Sequence, residues 1–202
     1  MKKILFLGLA LSIIACNSNK KTTNGDAGNT TNSSEMPSEY NPNGMNQLMP
    51  DSENEGEKIL LGNANRSGLE KAPFGEWFAD GLKSFEPDMV VVNKLKPLLK
   101  DIEIKAFMGT WCSDSQREIP QLYKILDVAD YNYDKFKLIT VDHDKTTPQS
   151  LEEGLDIDYV PTIILYRNGK EIGRFVEYAK ETLEKDLYTI ASDADYKHAY
   201  AE

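Results

Sequence analysis

The spacing of apolar residues along the chain alternates between two regular patterns, and each pattern predicts a different kind of element. Apolar residues three and four positions apart predict amphipathic helices, and the clearest stripe includes Ile119, Leu122 and Ile125. Short apolar runs between turn-forming residues predict strands. We expect helices at 72–85, 89–99, 113–129, 149–155 and 180–190. We expect strands at 59–61, 103–108, 136–141, 162–166 and 171–176, the first of them at an edge of a sheet.

The order of these elements predicts an α/β fold. Asn168-Gly169, between two strand patterns, is a strong signal for a tight antiparallel hairpin. The other strands are separated by helices, and right-handed crossovers would make such strands parallel. We therefore expect a central mixed β-sheet flanked by helices on both faces, with a helical N-terminal extension.

The start of the chain has the pattern of a targeting signal. A basic start precedes an apolar run at 4–14, which is too short to span a bilayer. The run ends in Ile13-Ile14-Ala15-Cys16, which resembles a lipobox. We expect residues 1–15 to be a signal peptide and Cys16 to carry the lipid. An ordinary secretion signal and a short buried helix are the alternatives.

Lipidation at Cys16 would also determine the location of the protein. Several acyl chains on one cysteine are sufficient for stable anchoring to a membrane. Asn17 stands where an aspartate would act as a signal for retention at the inner membrane. We expect a lipoprotein of the bacterial cell envelope, anchored to the outer rather than the inner membrane, whose domain faces the periplasm.

Polar, helix-breaking sequence follows the expected lipid site. Residues 17–34 are mostly Asn, Ser, Thr and Gly, and several prolines follow them. We expect a disordered tether over 16–57, and the alternative is that Met45, Leu48 and Met49 dock on the domain as an arm. The expected boundaries beyond it are an extension at 58–87 that packs on the domain, the domain at 88–192 and a C-terminal tail at 193–202.

The charge of the chain limits its partners. The 202 residues have a formal net charge of −10 and a pI near 4.8. Binding to nucleic acid or to an anionic lipid surface needs a basic face. We therefore expect no nucleic-acid partner, and attachment to the membrane through the N-terminal lipid alone.

Five short motifs lie in order between residues 89 and 191. They are Trp111-Cys112-Ser113-Asp114-Ser115 between a strand and a helix, Pro120 within that helix, Val141-Asp142 after the next strand, Val160-Pro161-Thr162, and the hairpin Tyr166-Arg167-Asn168-Gly169-Lys170. In this order they resemble the thioredoxin-like family, and the form Trp-Cys-x-Asp-Ser is similar to a subgroup of its bacterial envelope members. The resemblance implies a thioredoxin-like fold. It also implies catalytic positions at Trp111, Cys112, Asp114 and Ser115, and a substrate-binding cis-proline segment at Val160, Pro161 and Thr162.

Two departures from the family pattern affect the same chemical step. Ser115 stands in place of the second cysteine, which in the family resolves a mixed disulfide, and a hydroxyl cannot do so. Ala106 stands in place of a buried acid that relays the proton of that step. Because Cys16 is expected to be acylated, Cys112 would be the one thiol of the mature protein. We therefore expect no dithiol disulfide reductase activity. Glu177, where the family favours glycine, is expected to alter the substrate-docking rim.

Two functions remain open on these residues. The first is a monothiol thiol/disulfide oxidoreductase, in which Cys112 forms mixed disulfides with envelope proteins or small thiols. The second is a non-catalytic module that binds a peptide or protein in the groove between Cys112 and Pro161. Neither function needs a cofactor. We expect no metal site, because Cys112, His143 and Asp144 lack the spacing of ligand pairs.

The residues around Cys112 allow more than one role. A helix N-terminus favours an anion beside the thiol, whereas the neighbouring acidic side chains oppose one. We expect Asp114 to stabilise the N–H groups of the helix start, with a proton shuttle as the alternative. We expect Trp111 to pack at the rim with a hydrogen bond to Asp142. We expect His143 to be a solvated loop residue, with a general base as the alternative.

Overall fold

A six-stranded mixed sheet organises residues 40–201, the part of the chain that the computed structural model describes. The strands are β1 (Gln47–Pro50), β2 (Lys58–Ala64), β3 (Ile102–Met108), β4 (Phe136–Thr140), β5 (Thr162–Arg167) and β6 (Lys170–Val176). Their order across the sheet is β1-β2-β4-β3-β5-β6. β3 and β4 are parallel, and every other neighbouring pair is antiparallel. The expected mixed sheet is confirmed.

Five α-helices lie in the described part of the chain. They are α1 (Arg66–Leu69), α2 (Gly75–Ser84), α3 (Met89–Leu98), α4 (Ser113–Val128) and α5 (Leu183–Ala191). Asn65 and Asp88 are the N-caps of α1 and α3, because each side chain accepts a hydrogen bond from the N–H two residues ahead. The start of α5 is later than expected, since Thr182 is extended (φ −141°, ψ 153°) and forms its N-cap.

The four longer helices bury their apolar residues against the same face of the sheet. One cluster contains side chains from each of these helices and from the sheet, among them Phe78, Leu95, Leu122, Leu187 and Ala106. Because this face is covered by helices, Ala106 in the middle of β3 is fully buried. The apolar stripe read from the sequence of α4 is therefore the side of that helix that faces the sheet.

Turns rather than a helix cover the opposite face. Leu151 and Ile157, from the segment between β4 and β5, pack there on apolar residues of the sheet. The helix expected at 149–155 is wrong. Ser150 and Gly154 within it have φ of 53° and 72°, which no α-helix contains. The helices that flank the sheet therefore lie on one face and not on both.

Two strands N-terminal to the expected domain join the sheet, β1 from the expected tether and β2 from the expected extension. β1 pairs with β2, and β2 pairs with β4, so β2 is an interior strand and not the expected edge strand. Met49 of β1 is 7% exposed and packs against the apolar residues of β2. The tether expected to be disordered as far as residue 57 is wrong over β1. The alternative of a docked arm is correct for Met49, whereas Met45 and Leu48 are exposed.

Some expectations concern residues outside 40–201. The signal peptide at 1–15, the lipid site at Cys16 and the first part of the tether lie outside the described residues. Within 40–201, no helix is long and apolar enough to cross a membrane.

The hairpin expected at Asn168-Gly169 is confirmed. The two residues have φ of 53° and 75° and connect β5 to β6. Positive φ at both central positions is the requirement of the type I′ turn, whose twist matches that of the strands it joins.

A glycine sets the approach of α2 to α4. A Cβ atom at Gly81 of α2 would lie 2.7 Å from the Cβ of Pro120 in α4. Because real Cβ atoms do not come this close, the missing side chain allows the two helices to pack, and α2 thereby supports the helix that begins at Cys112.

Candidate functional site

Cys112 is the N-cap of α4, and its thiol is free and partly exposed. Its backbone is extended (φ −88°, ψ 124°), and its N–H donates to the carbonyl of Gly109 across 3.1 Å. The Sγ atom lies 3.2 Å from the carbonyl oxygen of Val160, to which the thiol donates. The fold therefore brings the expected nucleophile into contact with the expected substrate-binding segment.

Ser115 has a structural role at the second motif position. It is fully buried, and its Oγ accepts a hydrogen bond from the N–H of Gly109 at 3.2 Å. Ala106 is also fully buried, among apolar side chains. Cys112 is the free cysteine of residues 40–201. Within that range, a disulfide between Cys112 and a partner thus has no second thiol to attack it.

Trp111 is held at the rim of the site by a different group from the one expected. Its Nε1 donates to the carbonyl of Val141 at 3.0 Å and not to Asp142. The Asp142 carboxylate instead accepts from the N–H and the hydroxyl of Thr146, both at 2.8 Å, and so closes the turn after β4. The Trp111 ring stacks on His143, with centroids 4.2 Å apart and planes at 22°.

His143 is not the solvated loop residue that we expected. Its side chain is 14% exposed, its Nε2 lies 2.9 Å from Asp51 Oδ1, and its Nδ1 lies 3.2 Å from Glu53 Oε2. Ionised carboxylates only accept hydrogen bonds, so an imidazolium can donate to both partners, whereas a neutral ring can donate to one. His143 therefore links the turn between β1 and β2 to Trp111.

Asp51 is a residue of this region that the sequence reasoning missed. Its Oδ1 accepts from the N–H of Glu53, and its Oδ2 accepts from Asn54 Nδ2, both at 2.9 Å. Burial acts to raise the pKa of Asp51, but hydrogen bonds from Asn54, the Glu53 backbone and His143 hold the pKa below its ordinary value of 3.8. The run Asp51-Ser52-Glu53-Asn54 ahead of an apolar stretch was the available turn signal.

Charged side chains on α4 form a small network next to the thiol. Arg117 contacts Asp114 Oδ1 at 2.6 Å and Glu118 Oε1 at 2.9 Å. Burial raises the pKa of Glu118; Arg117 opposes the rise, and the charges of Asp114 and Asp186 add to it. Among the described residues, Glu118 Oε2 is buried with no hydrogen-bond partner. The one cation of this network, Arg117, is therefore shared between the carboxyl groups of Asp114 and Glu118.

The segment opposite the thiol is held from both sides. The Val160–Pro161 peptide bond is cis, as expected from the resemblance. Thr162 Oγ1 donates to the carbonyl of Tyr159 at 2.7 Å, and the N–H of Glu177 donates to the carbonyl of Pro161 at 2.8 Å. Glu177 has φ of 64°, in the left-handed region that favours glycine, the residue that the resemblance leads us to expect there.

Several known proteins are similar to part of this chain. Residues 91–189 match the family model described as thioredoxin. The chain is 32% identical over 88 residues to the chloroplastic thioredoxin Y of Oryza sativa subsp. japonica. The matched segment covers 44% of this chain and 46% of that relative, so the chain spans less than half the length of the relative. Among solved structures, an HIV epitope scaffold has 16% identity and a TM-score of 0.49, with 63% of this chain and 90% of that chain covered. The oxidised mitochondrial thioredoxin 3 of Saccharomyces cerevisiae has 23% identity and a TM-score of 0.33, with 48% and 87% covered.

The mixed sheet, the position of Cys112 and the cis-proline segment define a domain of the thioredoxin-like class. This domain covers the residues 91–189 that match the thioredoxin family model. It differs from the family's dithiol pattern at Ser115, and its sheet is extended by the two N-terminal strands β1 and β2.

Proposed function

We propose that this protein is a lipid-anchored, monothiol oxidoreductase of the bacterial cell envelope, in which Cys112 forms mixed disulfides with partner thiols or disulfides. The observation that carries the proposal is the pairing of a partly exposed Cys112 with a buried Ser115. The first keeps the reactive atom of the family accessible. The second removes the group that would release a bound partner.

The chemistry of a single thiol is an exchange in two steps. The Cys112 thiolate attacks one sulfur of a partner disulfide, an S–S bond forms between them, and the other partner sulfur leaves as a thiolate. A second thiol, from a small molecule or another protein, must then attack the mixed disulfide and restore Cys112. In that attack the external thiol bonds to the partner sulfur, and Cys112 leaves as a thiolate. A second external thiol then releases the partner sulfur as a thiolate, so the electron pair that reduces the partner disulfide comes from two external thiols, which end joined as a disulfide.

Neighbouring residues support the exchange by position. The carbonyl of Val160 keeps the thiol next to the segment along which an extended partner would pair. Trp111 closes one side of this region, and the ion pair between Asp114 and Arg117 lies in the first turn of α4. Among residues 40–201 no His, Cys, Asp and Glu side chains cluster as a metal site would require.

The lipid anchor is the second part of the proposal. It is supported by the pattern Ile13-Ile14-Ala15-Cys16 after a basic start and an apolar run. Cys16→Ser should leave the chain secreted but without acyl chains, because no other cysteine follows an apolar run of this kind. Metabolic labelling with palmitate measures the difference, and label retained in the variant would contradict the assignment.

Trapping of partners tests the role of Cys112. Envelope extracts quenched with acid should contain disulfide adducts at Cys112 that disappear on reduction and in the control variant Cys112→Ser. Mass spectrometry identifies the adducts and distinguishes small thiols from proteins. If Cys112 is found wholly free while a partner still co-purifies, the oxidoreductase proposal fails, and the alternative of a non-catalytic binding module is correct.

The missing second thiol makes a further test possible. The purified protein should not catalyse reduction of insulin disulfides, whereas Ser115→Cys should gain part of that activity, since residues 112 and 115 lie one helical turn apart. Ala106 would keep the gain small. Efficient insulin reduction by the natural sequence would refute the monothiol mechanism.

A further inference from the structure

A tyrosine from the C-terminal tail is docked on the domain close to the Cys112 groove. The ring of Tyr200 stacks on Tyr159, with centroids 3.9 Å apart and planes at 3°, and meets the edge of Tyr178 at 6.1 Å. The Tyr200 hydroxyl donates a hydrogen bond to Glu177 Oε2. The ring and the hydroxyl of this side chain thus each have a specific partner.

The groups that hold Tyr200 are continuous with the groove. Tyr159 directly precedes Val160, whose carbonyl contacts the Cys112 thiol. The N–H of Glu177 is bonded to the carbonyl of Pro161 at 2.8 Å. An extended segment that paired along Val160 and Pro161 would therefore bring a neighbouring side chain to Tyr159 and Glu177.

The docked ring is accessible to competition. Tyr200 is 40% exposed, and the two rings it touches, Tyr159 and Tyr178, are 41% and 46% exposed. A cleft of about 500 Å³ lies under the tail, bounded by Tyr159, Thr162 and Tyr200 among others. The tail residue Tyr196 is anchored separately by a hydrogen bond to Asp186 at 3.0 Å. Release of Tyr200 therefore does not require the tail to leave the domain.

We propose that Tyr159, Tyr178 and Glu177 form a subsite for a tyrosine side chain of a partner segment, and that Tyr200 fills this subsite in the free protein. The stacked geometry selects a flat aromatic ring, and the carboxylate of Glu177 accepts from a phenol hydroxyl. This proposal rests on the groove being a docking surface, as proposed above, but it does not require Cys112 to react.

The charge around the subsite restricts the partner further. Burial raises the pKa of Glu177; the charge of Asp114 adds to the rise, and Arg117 opposes it. Asp156 and Asp158 also border the cleft, and its cation Arg174 is already paired with Glu171 at 2.7 Å. Acidic residues next to the partner tyrosine would be repelled by this surface. The expected occupant is therefore a tyrosine in a neutral or basic extended segment.

Binding of short peptides tests the subsite apart from thiol chemistry. The protein is the full chain with Cys112→Ser, so that the groove carries no reactive thiol. The probe is acetyl-Ala-Ala-Tyr-Ala-Ala-amide, with the all-alanine peptide as its control. Affinity is read from NMR shifts of the backbone amides near Tyr159 and Glu177. A stacked aromatic contact of this kind would keep Tyr200 in the subsite in most molecules and leave the subsite empty in roughly one molecule in ten. Tyr200→Ala removes this internal competitor, so it should strengthen binding of the tyrosine peptide about tenfold.

Matched variants decide the outcome. Ala201→Ser, in the same tail, should leave the affinity unchanged, and adding Tyr178→Ala to Tyr200→Ala should remove the gain. Equal binding of the tyrosine and alanine peptides, or no gain from Tyr200→Ala, would overturn the subsite even if adducts form at Cys112. Conversely, a tenfold gain with Cys112 found free in extracts would leave the subsite standing and refute the oxidoreductase proposal.

Discussion

The carboxylate of Asp51 fixes the N-terminal hairpin beside the face that carries Cys112. The side chain is 4% exposed and accepts from His143 Nε2 at 2.9 Å. It also accepts from the N–H of Glu53 and from Asn54 Nδ2, both at 2.9 Å. Asp51→Asn keeps the size of the side chain and one acceptor oxygen but removes the charge, so it isolates the contribution of the carboxylate.

The expected cost of Asp51→Asn follows from these contacts. The amide oxygen can still accept from Glu53 and His143, but bonds to a charged acceptor are about twice as strong as neutral ones, and a neutral bond contributes about 1 kcal/mol. The amide nitrogen would face Asn54 Nδ2, where two donors cannot bond. Loss of one bond and weakening of two gives about 2 kcal/mol of lost stability at pH 7.

Urea unfolding at several pH values measures this cost. The folded-state pKa of Asp51 is below 3.8, so the stability it contributes is complete above pH 3.8 and is lost as the pH falls through the lower folded value. The difference between the wild type and Asp51→Asn should therefore be full at pH 7 and shrink below pH 3.8.

The control for Asp51→Asn is Glu53→Gln. Glu53 is 62% exposed and also contacts His143, and exposed pairs of this kind contribute about 0.2–1 kcal/mol. If Asp51→Asn costs no more than Glu53→Gln at pH 7, or if its cost is the same at pH 7 and below the folded pKa, the reasoning about the buried carboxylate is refuted.

Two further predictions concern α4 and its support. Burial raises the pKa of Glu118 above 4.5, so the stability of the folded state falls as the pH rises through that higher value. Urea unfolding of Glu118→Gln should therefore show a gain in stability over the wild type that grows between pH 4 and pH 7. If the difference in unfolding free energy between the two proteins is the same at both pH values, the raised pKa is contradicted. Gly81→Ala should lower the free energy of unfolding by about 1–3 kcal/mol, because the added methyl group would overlap Pro120. On an open helix face the same substitution raises stability by up to about 1 kcal/mol. A variant found to be stabilised in thermal unfolding would show that α2 and α4 do not pack as described.

Local signals were sufficient to predict the elements that carry the site. The stripe through Ile119 and Leu122 is a property of consecutive residues, so α4 could be predicted before any packing was known. Asn168-Gly169 adopts positive φ readily in any context, and the hairpin followed from those two residues. The contact between Cys112 and Val160 could be expected from the resemblance, because no local pattern relates residues 48 positions apart.

The tertiary structure decided what local patterns could not. β1 is only four residues long and lies within a polar, proline-containing stretch of sequence. It is ordered because the free edge of β2 offers unpaired backbone groups and an apolar contact for Met49. The apolar spacing of 149–155 resembled a helix, but those side chains cover the second face of the sheet through turns with left-handed residues.

The same distinction applies to the side chains around the thiol. The motif itself determined that Cys112 begins a helix and that Ser115 cannot act as a second thiol. The surroundings of His143 could not be read from its neighbours in the sequence, since its carboxylate partner Asp51 lies 92 residues earlier in the chain. Periodicity and turn propensity act over a few residues, whereas burial and charge pairing depend on which distant segments the sheet brings together.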